Sequence, residues 1–178
     1  MIEAGVVRDE RELLQIVDLQ RENLARNLSP EEIRTQGFVT LEHTLEVLKR
    51  MHALEPSVVA RDGRALAGYA LVMPVACRSW FPILEPMFLR LERLGMVKQR
   101  FYVMGQICVG APWRGRGVFD LLYRTHRELL RPRYDYSVTE AATRNTRSMR
   151  AHQRIGFKEI DRYRDASDEW SLLSWNWS

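Results

Sequence analysis

The chain has 178 residues, 46% of them hydrophobic and 28% charged, and 27 Lys and Arg against 23 Asp and Glu give a formal charge of +4. That length predicts one domain with a sizeable core, and two cysteines, Cys77 and Cys108, exclude a disulfide framework and fit a reducing compartment. The mild basic excess favours anionic partners without choosing among a nucleotide-like ligand, nucleic acid and a membrane surface.

The N-terminal stretch MIEAGVVRDERELL lacks the charged-then-apolar order of a signal peptide. The longest apolar run, ALAGYALVMPVAC, contains Pro74 and stops at Arg78, short of the roughly 20 residues a membrane helix needs. A cytoplasmic protein without a membrane span is expected.

Along the chain, IEAGVV reads as a short first strand. Asp9 and Glu12 have capping-box spacing before a helix that carries Leu13, Ile16, Val17 and Leu24. SPEE repeats the signal, with Ser29 as N-cap, Pro30 first in the helix and Glu32 as reciprocal partner. A third helix is expected after Thr40, with Leu41, Leu45 and Leu48 on one stripe, ending before Pro56. SVVARDGRALAGYALVMP is two strand-type runs joined through Asp62-Gly63, a hairpin signal. From Cys77 to Arg100 a segment rich in aromatics and prolines leads to a short helix closed by Gly95. It serves either as a packed surface connection or as a wall of a substrate pocket.

RFYVMGQICV and YDYSVTEAAT read as strands. Between them GVFDLLYRTHRELL sets Val118, Leu121, Leu122, Thr125 and Leu129 on one face and stops at Pro132, leaving His126 at the surface. NTRSMRAHQRIGF is a further helix with Asn145 as N-cap and Gly156 as its stop. EWSLLSWNWS is a last strand, with Trp175 and Trp177 on one face. No repeat, linker or low-complexity tract interrupts residues 1–178, so the expectation is one α/β (α+β) domain.

VGAPWRGRGVFDLLY, residues 109–123, carries the strongest chemical signal. A strand feeds a glycine-rich turn and then a helix, whose N-terminus offers unpaired amides and the positive end of a dipole. Glycines let the backbone approach a ligand, and such turns bind phosphates. Arg114 and Arg116 add charge, with Arg114 suited to bidentate contact. A Walker loop fits poorly, because Arg116 stands where lysine is needed and Gly117 where a hydroxyl is needed. A dinucleotide fingerprint fits poorly as well, with Asp120 at its third glycine.

Arg114-Gly115-Arg116-Gly117-Val118-Phe119 resembles the Q/R-x-x-G-x-G/A loop of the GNAT acyl-CoA N-acetyltransferases, departing at Phe119, where that loop has Gly or Ala. Asn145, Ser148, Met149, Ala151, His152, Arg154 and Gly156-Phe157 resemble the family's later motif N-x-x-A-I-x-L-Y-x-K-x-G-F, with Ser148 and His152 in place of Ala and Tyr. The resemblance is specific over residues 101–157, the coenzyme-binding core, and vaguest at 77–100. It implies a mixed, mostly antiparallel sheet of about six or seven strands flanked by helices. It also implies acetyl-CoA as co-substrate, held by the amides of residues 115–119. Asn145 and Ser148 would lie beside the pantetheine arm, and Ile107, Cys108 and Val109 on a bulged strand would polarise the thioester carbonyl.

Acetyl transfer to an amine needs a base, because an alkylammonium has a pKa of roughly 10.4, whereas a thiol at about 8.5 is a fair leaving group. The resemblance points to Glu140, at a strand end five residues before Asn145, as the base. It points to His152, at the position of the family's tyrosine, as the acid. Cys108 invites a ping-pong route, but its apolar setting argues for an inert thiol. The four histidines, 43, 52, 126 and 152, show no metal-ligand spacing, so no metal is expected. The acceptor is an amine on a small molecule or peptide, with Glu85 and Glu92 as candidate contacts, and a homodimer is compatible with the chain. Two other classes remain: a non-catalytic acyl-CoA-binding regulatory module, and a basic nucleic-acid-binding protein. The second is disfavoured because the arginines alternate with core positions and no base-stacking aromatic motif is present.

Overall fold

Gly63 takes φ 62° and turns the chain between two strands that pair with Asp62 opposite Ala65, so the predicted hairpin forms. The structure, a computed structural model, describes residues 1–177. Its strands are β1 (Ile2–Val6), β2 (Val58–Asp62), β3 (Ala65–Met73), β4 (Phe101–Val109), β5 (Tyr136–Ala142), β6 (Lys158–Arg164) and β7 (Glu169–Asn176). They form one seven-stranded sheet in the order β1-β2-β3-β4-β5-β7-β6, in which only β4 and β5 run parallel. The helices are α1 (Glu10–Asn23), α2 (Pro30–Gln36), α3 (Leu45–Leu54), α4 (Glu85–Arg93), α5 (Val118–Leu130) and α6 (Thr146–Ile155).

The sheet is covered on both faces. On one, Ile16, Leu48, Met51, Met87 and Leu91 from α1, α3 and α4 bury Tyr69, Leu71 and Met73 of β3. On the other, Val118, Leu122 and Tyr123 of α5 pack on Val58, Ala60, Ala70, Val72 and Tyr102. Burial at roughly 1.5–3 kcal/mol for each large apolar side chain makes these two layers the main source of stability.

Several expectations are corrected. The third helix starts at Leu45 behind the N-cap Thr44, whose side chain accepts from the Val47 amide, so Leu41 lies in the preceding extended segment. The buried stripe of α5 is Val118, Leu122, Tyr123, His126 and Leu130, while Leu129 is exposed. His126 is therefore a core residue: Tyr102 Oη lies 2.9 Å from its Nδ1, and its Nε2 is 3.0 Å from the Ala70 carbonyl. Asp9 caps α1, but Glu12 accepts from the Arg8 amide instead of that of Asp9 and forms a buried pair with Arg61. Ser29 and Glu32 form the full reciprocal box.

β4 and β5 pair only through Phe101–Val103 and Tyr136–Val138. Beyond Val103 the two strands part, and a register shift against β3 leaves Gly105 as an extra residue of β4, a bulge that bends the strand. The bulge sits at Gly105, not at the expected Cys108 and Val109. The parting strands open the sheet at its centre, between the α1–α2 side and α6.

Candidate active site

Two cavities fill the opening. A larger one of about 760 Å³ lies among the 34–39 segment, the end of β4, the turn before α5 and the first turns of α6. A smaller one of about 90 Å³ lies between β4 and β5. Phe38, Val39, Ile107, Asn145 and Ser148 line both, so the cavities meet there.

The larger cavity is basic: Arg34, Arg114, Arg147, Arg150 and Arg154 line it against one acid, Asp120, which Arg154 engages at 2.6 Å. Arg147, Arg150 and Arg154 follow helical spacing and share one face of α6. At the turn, Gly117 has φ 76°, no side chain caps α5, and the first carbonyl used by the helix is that of Gly117, which accepts from Leu121. The amides of Val118, Phe119 and Asp120 are thus the open first turn of a helix. A Cβ built on Gly115 or Gly117 meets nothing within 4 Å, so the backbone is bare toward the cavity. Donors, dipole and positive side chains together suit an anion of the pyrophosphate class.

Of the residues expected to hold coenzyme, Ile107, Cys108, Val109, Arg114, Gly115, Gly117, Val118, Phe119, Asn145 and Ser148 line this cavity. Arg116 does not; its guanidinium lies 4.0 Å from Asp62 on the far side of the turn. Nor is Arg114 free for a bidentate grip: it donates to Asn23 Oδ1 at 2.5 Å and to the Val109 carbonyl at 3.3 Å, strapping the end of α1 to the turn. The Gly110 amide donates to the Ala67 carbonyl at 2.9 Å. Alternation along β4 then points the Cys108 amide at β3 and those of Ile107 and Val109 toward the side that β5 has left. The open-edge donors are Ile107 and Val109.

Asn145 joins the parts. Its Oδ1 accepts from the Ser148 amide at 3.3 Å, capping α6, and its Nδ2 donates to the Phe38 carbonyl at 3.1 Å. Gly37, at φ 77°, makes that approach possible, since a Cβ there would stand 3.0 Å from Asn145 Oδ1. Gln106 fixes the same segment by donating to the Leu41 carbonyl at 2.7 Å while accepting from the Tyr69 hydroxyl at 2.5 Å.

Phe119, Ser148 and His152, three of the positions that depart from the resembled motifs, meet at His152. The rings of Phe119 and His152 meet edge-on at 5.3 Å, and Ser148 Oγ lies 3.3 Å from His152 Nδ1. His152 also packs edge-on against Tyr123 and Phe157. Its Nδ1 is 2.8 Å from the Ser148 carbonyl, which requires a proton on that nitrogen, and its buried Nε2 has no partner. Burial holds its pKa down at about 4. A neutral imidazole whose one N–H is committed to a backbone carbonyl is not a proton donor at neutral pH, so the geometry does not suit His152 as acid.

Glu140 lines the smaller cavity from β5. Burial pushes its carboxyl up to about 7, against the opposing pull of a hydrogen bond that Tyr163 donates at 2.5 Å. A carboxylate poised there takes up and releases protons near neutral pH. Cys108 is buried, and its thiol is pushed up to about 12, so it supplies no thiolate. Tyr163, Gln106, Arg34, Arg147, Arg150 and the 36–39 segment had no motif to announce them. Among the described residues no group of His, Cys, Asp and Glu is arranged to hold a metal ion, and no helix is long and apolar enough to cross a membrane.

Among solved structures, the ribosomal-protein-S18-alanine N-acetyltransferase of Escherichia coli aligns with 99% of this chain and 94% of its own at TM-score 0.68 and 10% identity. An acetyltransferase of the GNAT family from Streptococcus pneumoniae aligns over 99% of both chains at TM-score 0.64 and 12% identity. The fold is that of the GNAT acetyltransferases. Naa50 of Arabidopsis thaliana, solved with the bisubstrate analogue CoA-Ac-MVNAL, shares the GNAT fold with this chain over 99% of both at TM-score 0.65 and 12% identity. No protein-family model matches the sequence, and no curated protein does. At these identities the likeness is one of architecture.

Proposed function

We propose that the protein transfers an acetyl group from acetyl-CoA to a primary amine by direct attack. The observation that carries this reading is the meeting of two chemically opposite cavities at Ile107, Asn145 and Ser148. One is basic and ends on a bare helix N-terminus; the other is small and holds the half-buried carboxylate of Glu140. The likeness to structures titled as acetyltransferases, one of them holding a CoA bisubstrate analogue, supports it.

In this reading the amides of residues 115–119 and the arginines of α6 bind the coenzyme's phosphates, and Ile107 and Val109 receive its acyl end. Acetyl-CoA supplies an activated acyl carbon. Glu140 takes one proton from the ammonium, the amine nitrogen bonds to the acyl carbon, the nitrogen gives its second proton to solvent, and the carbon–sulfur bond breaks with its electron pair on sulfur. The oxygen of the acyl group lies toward the open-edge amides of Ile107 and Val109, where developing negative charge is stabilised. The hydrogen-bond donor facing the departing sulfur is Ser148: because the His152 Nδ1–H is directed at the Ser148 carbonyl and hydroxyl oxygens, the Ser148 O–H is free to turn into the junction and stabilise the thiolate, which then takes its proton from solvent. A thiolate needs only slight assistance. The inert Cys108 favours this direct route over a ping-pong one. The buried, free thiols of Cys77 and Cys108 fit work in a reducing compartment such as the cytoplasm.

The test is release of free coenzyme thiol from acetyl-CoA with a panel of primary amines, together with the mass of the acetylated product. Thiol release that depends on amine and is lost in Glu140→Gln supports the proposal. Acetyl-CoA binding without release for any amine makes the protein a binding module.

A further inference from the structure

We infer that the smaller cavity selects an acceptor with a single ammonium beside an apolar body, and rejects diamines and polyamines. The inference rests on the proposed transfer reaction for the identity of the ligand, but the cavity's chemistry is its own argument.

Glu140 is the one acidic side chain lining the cavity, and the wall opposite is apolar: Phe38, Leu41, Leu84 and Met87. At about 90 Å³ the space holds roughly three waters at their liquid volume. It therefore admits an amino group and a short apolar stub, with the rest of the acceptor against Leu41 and Leu84. Burying that amine is favourable only where its charge is paired, and Glu140 pairs one charge.

No second acid lines the cavity to pair a second ammonium. Glu85, which follows Leu84, is held by Arg78 at 2.9 and 2.5 Å, and Glu92 by the same guanidinium at 2.5 Å. Arg78 holds both carboxylates with a single charge, and neither Glu85 nor Glu92 lines the cavity. Asp165 lies behind Trp170, whose indole donates to it at 3.0 Å, and it also accepts from Ser167 and the Asp168 amide. Those donors hold its carboxylate within the 165–170 turn, and it does not line the cavity.

The test compares 3-methylbutylamine with 1,4-diaminobutane, two amines of equal chain length. Calorimetry on the full chain, with and without desulfo-CoA, gives the dissociation constants. The monoamine should bind about tenfold or more tightly than the diamine, because the diamine must leave a charge unpaired against an apolar wall. Leu84→Glu should erase or invert that preference, and Leu84→Gln should not. Equal or tighter binding of the diamine, or no binding of either amine, overturns the inference. Thiol release from acetyl-CoA measured in parallel separates the two readings. Selective monoamine binding without turnover removes the transferase and keeps the cavity assignment. Turnover that prefers the diamine does the reverse.

Discussion

The Tyr163 hydroxyl donates to Glu140 Oε2 at 2.5 Å although their strands are not neighbours: β7 runs between them, with Leu172 opposite Glu140 and Trp170 opposite Tyr163. The edge strand thus reaches across the sheet to the candidate base. Arg90 lies 4.5 Å over the Tyr163 ring and pairs with Asp161, fixing the tyrosine from above. The tyrosine's own pKa is raised, chiefly by burial, so it remains a donor.

Removing that donor has a sign that follows from the chemistry. The hydrogen bond favours the ionised carboxylate, so Tyr163→Phe should raise the Glu140 pKa further above about 7. A base works in its ionised form, and the acid limb of kcat/KM should therefore move to higher pH. A shift of about one pH unit is expected, since a hydrogen bond to a charged group is worth roughly 1.5–3 kcal/mol. The pH–rate profile checks it; an unmoved acid limb separates Tyr163 from the base.

Gly117 supplies a test of the phosphate cradle. Its φ of 76° and the open space at its Cβ mean that Gly117→Glu points a carboxylate into the basic cavity. Gly117→Ala carries the same backbone penalty, roughly 1–2 kcal/mol for a left-handed residue, without the charge. Calorimetric titration with acetyl-CoA should show at least about a hundredfold weaker binding for the glutamate variant, as like-charge contact requires. The alanine variant should keep most of its affinity.

How much of this was legible beforehand depended on whether function and folding wrote the same pattern. Asn145, Gly156 and the Gly115–Gly117 turn were readable because a helix cap and a left-handed turn restrict the residue type locally. Strand β6, KEIDRYR, was not read as a strand: it is an edge strand with an exposed face, so charges replace the apolar alternation that marks a buried one. With it Tyr163 was lost. His126 read as a surface residue and His152 as a candidate acid, yet both are buried, because partners distant in sequence, Tyr102 and Ala70 for one and Phe119 for the other, accommodate them. The strap from Arg114 to Asn23 spans 91 residues and has no local signature.

The Ser148 hydroxyl is the hydrogen-bond donor proposed to face the departing sulfur. Ser148→Ala removes a hydroxyl at the junction of the cavities but leaves the amide that Asn145 caps. It should lower kcat by about tenfold, the modest scale expected when the leaving thiol has a pKa of about 8.5, with acetyl-CoA affinity unchanged. Single-turnover thiol release measures the chemical step. A full rate in Ser148→Ala removes its role as donor.

The buried histidines set the acid sensitivity of the fold. Burial holds His43, His126 and His152 at about 4, below the unfolded value of 6.5. In that interval the unfolded chain binds more protons than the folded one, so stability falls as pH drops from 6.5 toward 4. At pH 5.5 each histidine costs on the order of 1.4 kcal/mol relative to high pH, about 4 kcal/mol for the three. Glu140 acts oppositely. Its folded pKa of about 7 stands above the unfolded 4.5, so protonation returns on the order of 2 kcal/mol over the same descent. The net loss between pH 7 and 5.5 is about 2 kcal/mol, readable as a lower midpoint in urea. Glu140→Gln removes the offset and should make the pH dependence steeper, by about the amount that Glu140 returns. A flat stability curve from pH 7 to 5.5 in the parent chain would show that the three imidazoles are not held neutral by the fold.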